Sequence, residues 1–208
     1  GVRFAHGDHF TAGLDLPMWT ERMKSGDRGR GTDVVDPTAL GRRCRKPIVS
    51  AVKGYTYTLG IELMLAGDVV VAADDCRFRQ HEPLRGIHAA GGATIRFVQR
   101  GGWGNAMYHL LTSDEFDATE AHRIGLVQEV VPAGSELDRA IEIAGVICQG
   151  APLAVQATKA SSLRYVHEGE AACIAALGTV QAGLAAADDA AEGVAAFRER
   201  RDPVFGGR

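Results

Sequence analysis

Short apolar or β-branched runs alternate with stretches of helical period over the first two thirds of the chain, and helical period takes over in the last third. The short runs at residues 2–5, 47–52, 69–71 and 125–131, bounded by Gly, Pro or Asp, predict strands. Asp15 followed by Pro17 predicts a helix start with Leu16, Trp19 and Met23 as its apolar stripe. Residues 37–45 predict a short helix with Leu40 inward. Gly91, Gly92, Ala93 and Thr94 predict a turn into a helix that carries Arg96, Phe97 and Val98, and a second helix follows over 104–111. Asp117 predicts the cap of a short helix ending at Arg123. Beyond Ser135, the spacing of Leu137, Ile141, Ala144 and Ile147 predicts an amphipathic helix stopped by Gly150. Further helices are predicted over 153–163, 168–186 and 188–201. The polar, glycine-rich residues 25–33 predict a surface loop, either a lid or a plain connector. The pattern predicts an α/β body, residues 1–133, followed by a helical region, residues 134–208, with no linker between them.

Residues 53–82 carry the most chemistry. A glycine-bearing turn, 54–60, opens an apolar helix that holds Glu62. The strand at 69–71 follows. The chain then turns through Asp74 and Asp75 and brings in a second carboxylate, Glu82. Two acids near the ends of neighbouring elements, beside a helix N-terminus, can stabilise a developing oxyanion and move protons next to it. The alternative reading is a pair of glutamates in structural ion pairs.

Composition narrows the classes. A net charge of −3 offers no basic excess for nucleic acid and no acidic block for a disordered tail. Cys44, Cys76, Cys148 and Cys173 form no C-x-x-C and no zinc spacing, which suits idle thiols in a reducing compartment. No apolar run reaches the ~18 residues of a membrane span. The start, GVRFAHGD, lacks the basic and apolar regions of a signal peptide. The expectation is a cytoplasmic protein that binds neither nucleic acid nor membrane. Dinucleotide, nucleotide-phosphate and G-x-S-x-G motifs are absent. His81-Glu82 lacks a second histidine at zinc spacing, and His88, His109 and His122 are scattered, so no metal site and no cofactor are expected.

Several segments resemble, in order, those of the crotonase (enoyl-CoA hydratase/isomerase) superfamily. Phe10-Thr11-Ala12-Gly13-Leu14-Asp15-Leu16 is similar to its F-S-A-G-x-D-L loop. The likeness continues through residues 47–55, Leu59-Gly60-Ile61-Glu62-Leu63 and Ala66-Gly67-Asp68. Phe78-Arg79-Gln80-His81-Glu82 resembles F-x-x-P-E, with His81 in the place of proline. Residues 90–96 resemble G-x-G-G-T-x-R, residues 118–132 resemble A-x-E-A-x-x-x-G-L-V-x-x-V-V-P, and Glu192 through Phe205 resembles the final helix. Thr58 and Leu59 stand where the family carries glycine.

The resemblance implies a spiral of ββα turns with a helical C-terminal region that packs homotrimers, often paired into hexamers. It also implies a β-α-β opening segment ahead of residue 2, absent from this sequence, that would supply a neighbour for the strand at 2–5. The implied substrate is an acyl-CoA thioester, with coenzyme A entering as part of the substrate. The backbone N–H groups of Leu14 and Leu59 fall on the oxyanion-hole positions, and Glu62 and Glu82 on the two acid/base positions of hydratases. Retention of both acids favours addition of water to a 2-enoyl-CoA. Isomerisation, thioester hydrolysis or a catalytically weak CoA-binding role are the alternatives. Ala12, Leu14 and Leu16 match positions whose backbone meets the adenine end of CoA. Phe197 and Arg200 match an aromatic and a cation near the adenine and phosphates, although Arg200 equally suits a solvated helix face.

Overall fold

The protein is described by a computed structural model over residues 1–26 and 33–208. The core of the loop expected at 25–33 lies outside the described residues. Two compact units are formed: Gly1–Cys44 with Ile48–Ile143, and Arg45–Pro47 with Ala144–Arg208.

The first unit holds seven strands among the described residues: β1 Val2–Arg3, β2 Val49–Val52, β3 Tyr55–Tyr57, β4 Val69–Ala73, β5 Arg77–Arg79, β6 Phe116–Asp117 and β7 Glu129–Val131. Four form one parallel sheet in the order β1-β2-β4-β7, and three form a second in the order β3-β5-β6. The strand at the start of the chain therefore has its neighbour downstream, with Val2 opposite Val49. Within each turn the two strands go to different sheets, β2 and β4 to the first and β3 and β5 to the second. β2 and β3 are followed by helix α2, Leu59–Ala66, while β4 and β5 are followed by α3, Ala93–Thr112. Each ββα turn stacks its strands in parallel on those of the turn before, with Val49 to Val52 opposite Val69 to Ala72 and Tyr55 to Tyr57 opposite Arg77 to Arg79. This is the crotonase-like spiral implied by the resemblance. The corner between β2 and β3 is Gly54, at φ 51°, where an added Cβ would stand 2.6 Å from the carbonyl oxygen of Asp8. Glycine is required there by both conformation and space.

β4 is buried almost throughout, which is why it reads as a continuous Val/Ala run rather than an alternation. α2 buries Ile61, Met64 and Leu65 and shows no polar stripe because it lies inside. Phe78 on β5 stacks on Phe116 at 5.5 Å between centroids, and Phe97 on α3 meets Phe116 at 6.1 Å. Burying each such ring contributes roughly 2–3 kcal/mol, so these three tie the second sheet to α3.

One expectation needs correction. Residues 37–45 form turns, not a helix. The Asp36 carboxylate accepts from the N–H groups of Thr38, Leu40 and Gly41 and from the Thr38 hydroxyl, and Ala39 sits at φ 50°. A short acid that satisfies local backbone donors competes directly with the helical ladder. The helices expected at 93–98 and 104–111 both form and follow one another within α3, parted by the non-helical Gly102, φ 74° and ψ 165°. The remaining starts agree with the pattern. α1 is Leu16–Lys24, with Asp15 accepting from Met18 N at 3.3 Å. α4 is Ala118–Arg123, with Asp117 accepting from Glu120 N at 2.9 Å. α5, Glu136–Cys148, begins in the first unit.

The second unit contains α6 Pro152–Glu168, α7 Glu170–Ala185 and α8 Asp188–Glu199. α6 runs five residues beyond its expected end and breaks at Gly169, φ 86°. The tail returns onto α8, where Asp189 accepts from Gly206 N and Gly207 N at 2.7 and 2.9 Å and Arg201 pairs with Glu192 at 2.6 Å. Neither α6 nor α7 contains a buried residue.

Candidate active site

Phe10 and Thr11 run beside β3, with Thr11 opposite Thr56 in an isolated parallel bridge. Phe10 N donates to Lys53 O at 2.9 Å, Thr11 N to Tyr55 O at 3.0 Å, and Tyr57 N to Thr11 O at 3.0 Å. Leu14 is thereby delivered beside the first turn of α2. Gly60 permits the approach, since a Cβ there would stand 3.1 Å from Thr11 Cγ2 and 3.2 Å from Thr56 Cγ2. One step closer to the loop, a Cβ on Gly13, φ 109°, would overlap the Thr58 hydroxyl. Thr58 itself holds φ 48° and ψ −109°, and its side chain caps nothing. A β-branched residue in that conformation costs of order 1–3 kcal/mol. Its backbone is anchored by Thr58 N donating to Arg79 O at 2.8 Å.

Among the described residues the N–H groups of Leu14 and Leu59 donate to nothing. Leu59 opens α2, where free N–H groups and the helix dipole favour negative charge. Two free donors on touching segments can receive an oxyanion.

Glu62, on the first turn of α2, is 5% exposed. Its Oε1 accepts from Gly91 N at 2.6 Å and Ala93 N at 3.3 Å, so it caps the start of α3. Burial pushes its carboxyl above the ordinary range, against those N–H groups and the Arg96 charge, which favour the anion. Glu82 is 9% exposed and opens a short 3-10 helix, Glu82–Arg85. Burial pushes it up to about 7; the N–H groups of Glu82 and His81 oppose the rise, and the Glu62 charge adds to it. That mutual repulsion shows the two acids within electrostatic reach of each other.

Two neighbours went unnoticed in the sequence. Gln80 is buried, and with its amide nitrogen facing Glu82 it donates to both carboxylate oxygens at 2.7 and 3.1 Å. Period-two alternation from Phe78 along β5 was the available signal. Arg96 is buried, donates to Ala39 O at 2.9 Å, and is held down to about 10 chiefly by burial. His81, in the proline place, packs edge-on to Tyr57 at 5.2 Å between centroids. No cluster of three His, Cys, Asp or Glu side chains suited to a metal occurs among the described residues.

The family model described as enoyl-CoA hydratase/isomerase matches residues 5–208. The chain belongs to the enoyl-CoA hydratase/isomerase family. It is 34% identical over 209 residues, 97% of this chain and 77% of the relative, to the enoyl-CoA hydratase EchA19 of Mycobacterium tuberculosis. It is also 32% identical over 213 residues, 96% of this chain and 76% of the relative, to a peroxisomal Delta(3,5)-Delta(2,4)-dienoyl-CoA isomerase of Arabidopsis thaliana. Among solved structures, a "probable enoyl-CoA hydratase/isomerase" from Mycobacterium abscessus matches at TM-score 0.96 and 46% identity, over 100% of this chain and 80% of that one. Membership in this family makes the chain a crotonase-type enzyme acting on acyl-CoA substrates. The names of its relatives span hydration and isomerisation alike.

Of the residues matched to this family's sites, Leu14, Leu59, Glu62 and Glu82 belong to the constellation just described. Ala12 is exposed and Leu16 half-buried at the start of α1, in the same loop as Leu14. Phe197 and Arg200 lie in the second unit at the end of α8, with the Phe197 side chain 85% exposed and Arg200 at φ 55°. A hollow of about 790 Å³ in that unit, lined by residues including Leu153, Leu184 and Phe205, contains neither of them.

Proposed function

We propose that this crotonase-type enzyme adds water to a 2-enoyl-CoA thioester. The observation that carries this reading is the pair of buried, mutually repelling carboxylates, with Glu82 pushed up to about 7. The thioester oxygen would accept from the N–H groups of Leu14 and Leu59. A water held by Glu62 and Glu82 would give its oxygen to the β-carbon and a proton to the ionised carboxylate. The protonated carboxylate would deliver a proton to the α-carbon as the enolate collapses. Atoms balance: net, one O–H bond and the C=C π bond break, one C–O and one C–H bond form, and the acids exchange roles. No metal or separate cofactor enters this scheme.

The test is loss of the conjugated-thioester absorbance with crotonyl-CoA and a longer 2-enoyl-CoA, followed by product analysis. A 3-hydroxyacyl-CoA product supports the reading. A shifted double bond without added water would assign the same acids to isomerisation, the activity named for the Arabidopsis relative.

The pH profile follows from the raised Glu82 carboxyl. Hydration should hold below neutrality and fall as pH rises through about 7, where the acid that donates to the α-carbon is lost. A rate that is flat from pH 6 to 9 would remove Glu82 from that role.

The reading extends to assembly. α6 and α7 contain no fully buried residue and expose Tyr165, Ile174 and Leu177. Packing against further copies, as a trimer or a pair of trimers, would cover such apolar surface. Sedimentation should give a mass of three or six chains, and a monomer at micromolar concentration would refute this.

A further inference from the structure

We propose that Thr58 is a positioning residue that sets the direction of both candidate oxyanion donors at once. The inference rests on the reading that Leu14 N–H and Leu59 N–H hold the thioester oxygen.

The argument is geometric. The Leu59 N–H belongs to the peptide plane between Thr58 and Leu59, so the ψ angle of Thr58 decides where that hydrogen points. The Leu14 N–H is aimed in the same way by ψ of Gly13. Both preceding residues have positive φ, 48° at Thr58 and 109° at Gly13. They also touch. The Thr58 hydroxyl fills the space where a Cβ on Gly13 would lie, and Thr58 Cβ is 3.3 Å from that point. The Cβ of Thr58 narrows the range of ψ open to the 58–59 peptide, and its hydroxyl blocks the Gly13 backbone from moving toward it.

The conformation is held from outside the contact as well. Thr58 N donates to Arg79 O at 2.8 Å, and Thr58 O accepts from Glu62 N at 3.2 Å. Glycine at 58 would adopt the same angles without strain, so the fold alone gives no reason for threonine there. A strained residue kept against a close contact marks a place where geometry is over-determined. Here the contact joins the two segments that carry the donors. The side chain that costs stability also removes the freedom a glycine would leave to the 58–59 peptide.

The test compares the unaltered protein with Thr58→Gly and Thr58→Ser. Readouts are thermal stability, hydration kinetics, and the absorption band of bound dimethylaminocinnamoyl-CoA. That band moves to longer wavelength when the thioester oxygen accepts strong hydrogen bonds. Thr58→Gly should melt at a higher temperature, because strain is relieved. Its kcat should nevertheless fall about tenfold, less than the ~10²–10³ of a deleted donor, and its bound band should lose at least about half of the shift while KM changes little. Thr58→Ser keeps the hydroxyl against Gly13 and should restore the band and most of kcat.

A Thr58→Gly protein with an unchanged band and kcat overturns the positioning role and leaves the donors standing. A Thr58→Ser protein that behaves like Thr58→Gly overturns the contact as its cause. An unaltered protein whose bound probe shows no shift overturns the donor assignment itself, and the role of Thr58 falls with it.

Discussion

Glu82→Gln is expected to lower the hydration rate by about 10²–10⁴, the usual contribution of a positioned acid or base. Glutamine keeps the shape and volume of the side chain, but it can neither give nor take a proton. KM should change little, because the substitution removes a proton transfer and not a binding contact. The same variant should be more stable at alkaline pH. Glu82 rises from the ordinary 4.5 to about 7 in the folded chain. Between those values the folded state binds more protons than the unfolded one, so stability falls as pH rises through that window. Above it, the native protein carries a buried, repelled anion, a penalty of roughly 3 kcal/mol at most. Glutamine removes the penalty. Melting at pH 8 should show a gain for Glu82→Gln that disappears by pH 4. A variant that hydrates at the native rate would exclude Glu82 from the chemistry, whatever its stability.

Gly91→Ala should inactivate the enzyme while sparing the fold. The Gly91 N–H is the closest hydrogen-bond partner of Glu62, at 2.6 Å. A Cβ on Gly91 would overlap Glu62 Oε2 and come within 2.5 Å of its Cδ. Gly91 is not among the positive-φ residues, so alanine brings no backbone strain. The obstruction is the end of a flexible side chain, and the cheap response is for that carboxylate to swing away. Displacing a reacting group by about 1 Å costs on the order of 10²-fold in rate. Activity should fall at least that far, with the melting temperature lowered by only a few degrees. Circular dichroism beside the crotonyl-CoA assay separates the two effects. A melting temperature that collapses along with activity would instead make Gly91 a structural position.

The helical elements and the parallel sheet were legible in the sequence because each follows a local rule. β4 is a β-branched run, α4 begins at a capping aspartate, and the helices of the last third keep their period. The short strands β3, β5 and β6 were not. Tyr55 to Tyr57 and Arg77 to Arg79 alternate over only three residues each, and their order comes from long-range partners. The turns at 37–45 were misread because Asp36 lies just outside the apolar pattern yet satisfies its donors. Glu62 and Glu82 could be named from motif positions. Their burial and mutual repulsion come from three segments meeting in space, and no spacing along the chain encodes that. Gln80 and Arg96 stayed hidden for the same reason.

The two acids are unequal in what they cost to change. Glu62 sits on one helix while capping another, so its removal would leave Gly91 N and Ala93 N without an acceptor at the head of α3. Glu82 opens only a short 3-10 helix, and its oxygens serve the Gln80 amide. Redirecting this scaffold toward other acyl-CoA reactions should therefore be easier at position 82 than at position 62, where the head of α3 depends on the same carboxylate.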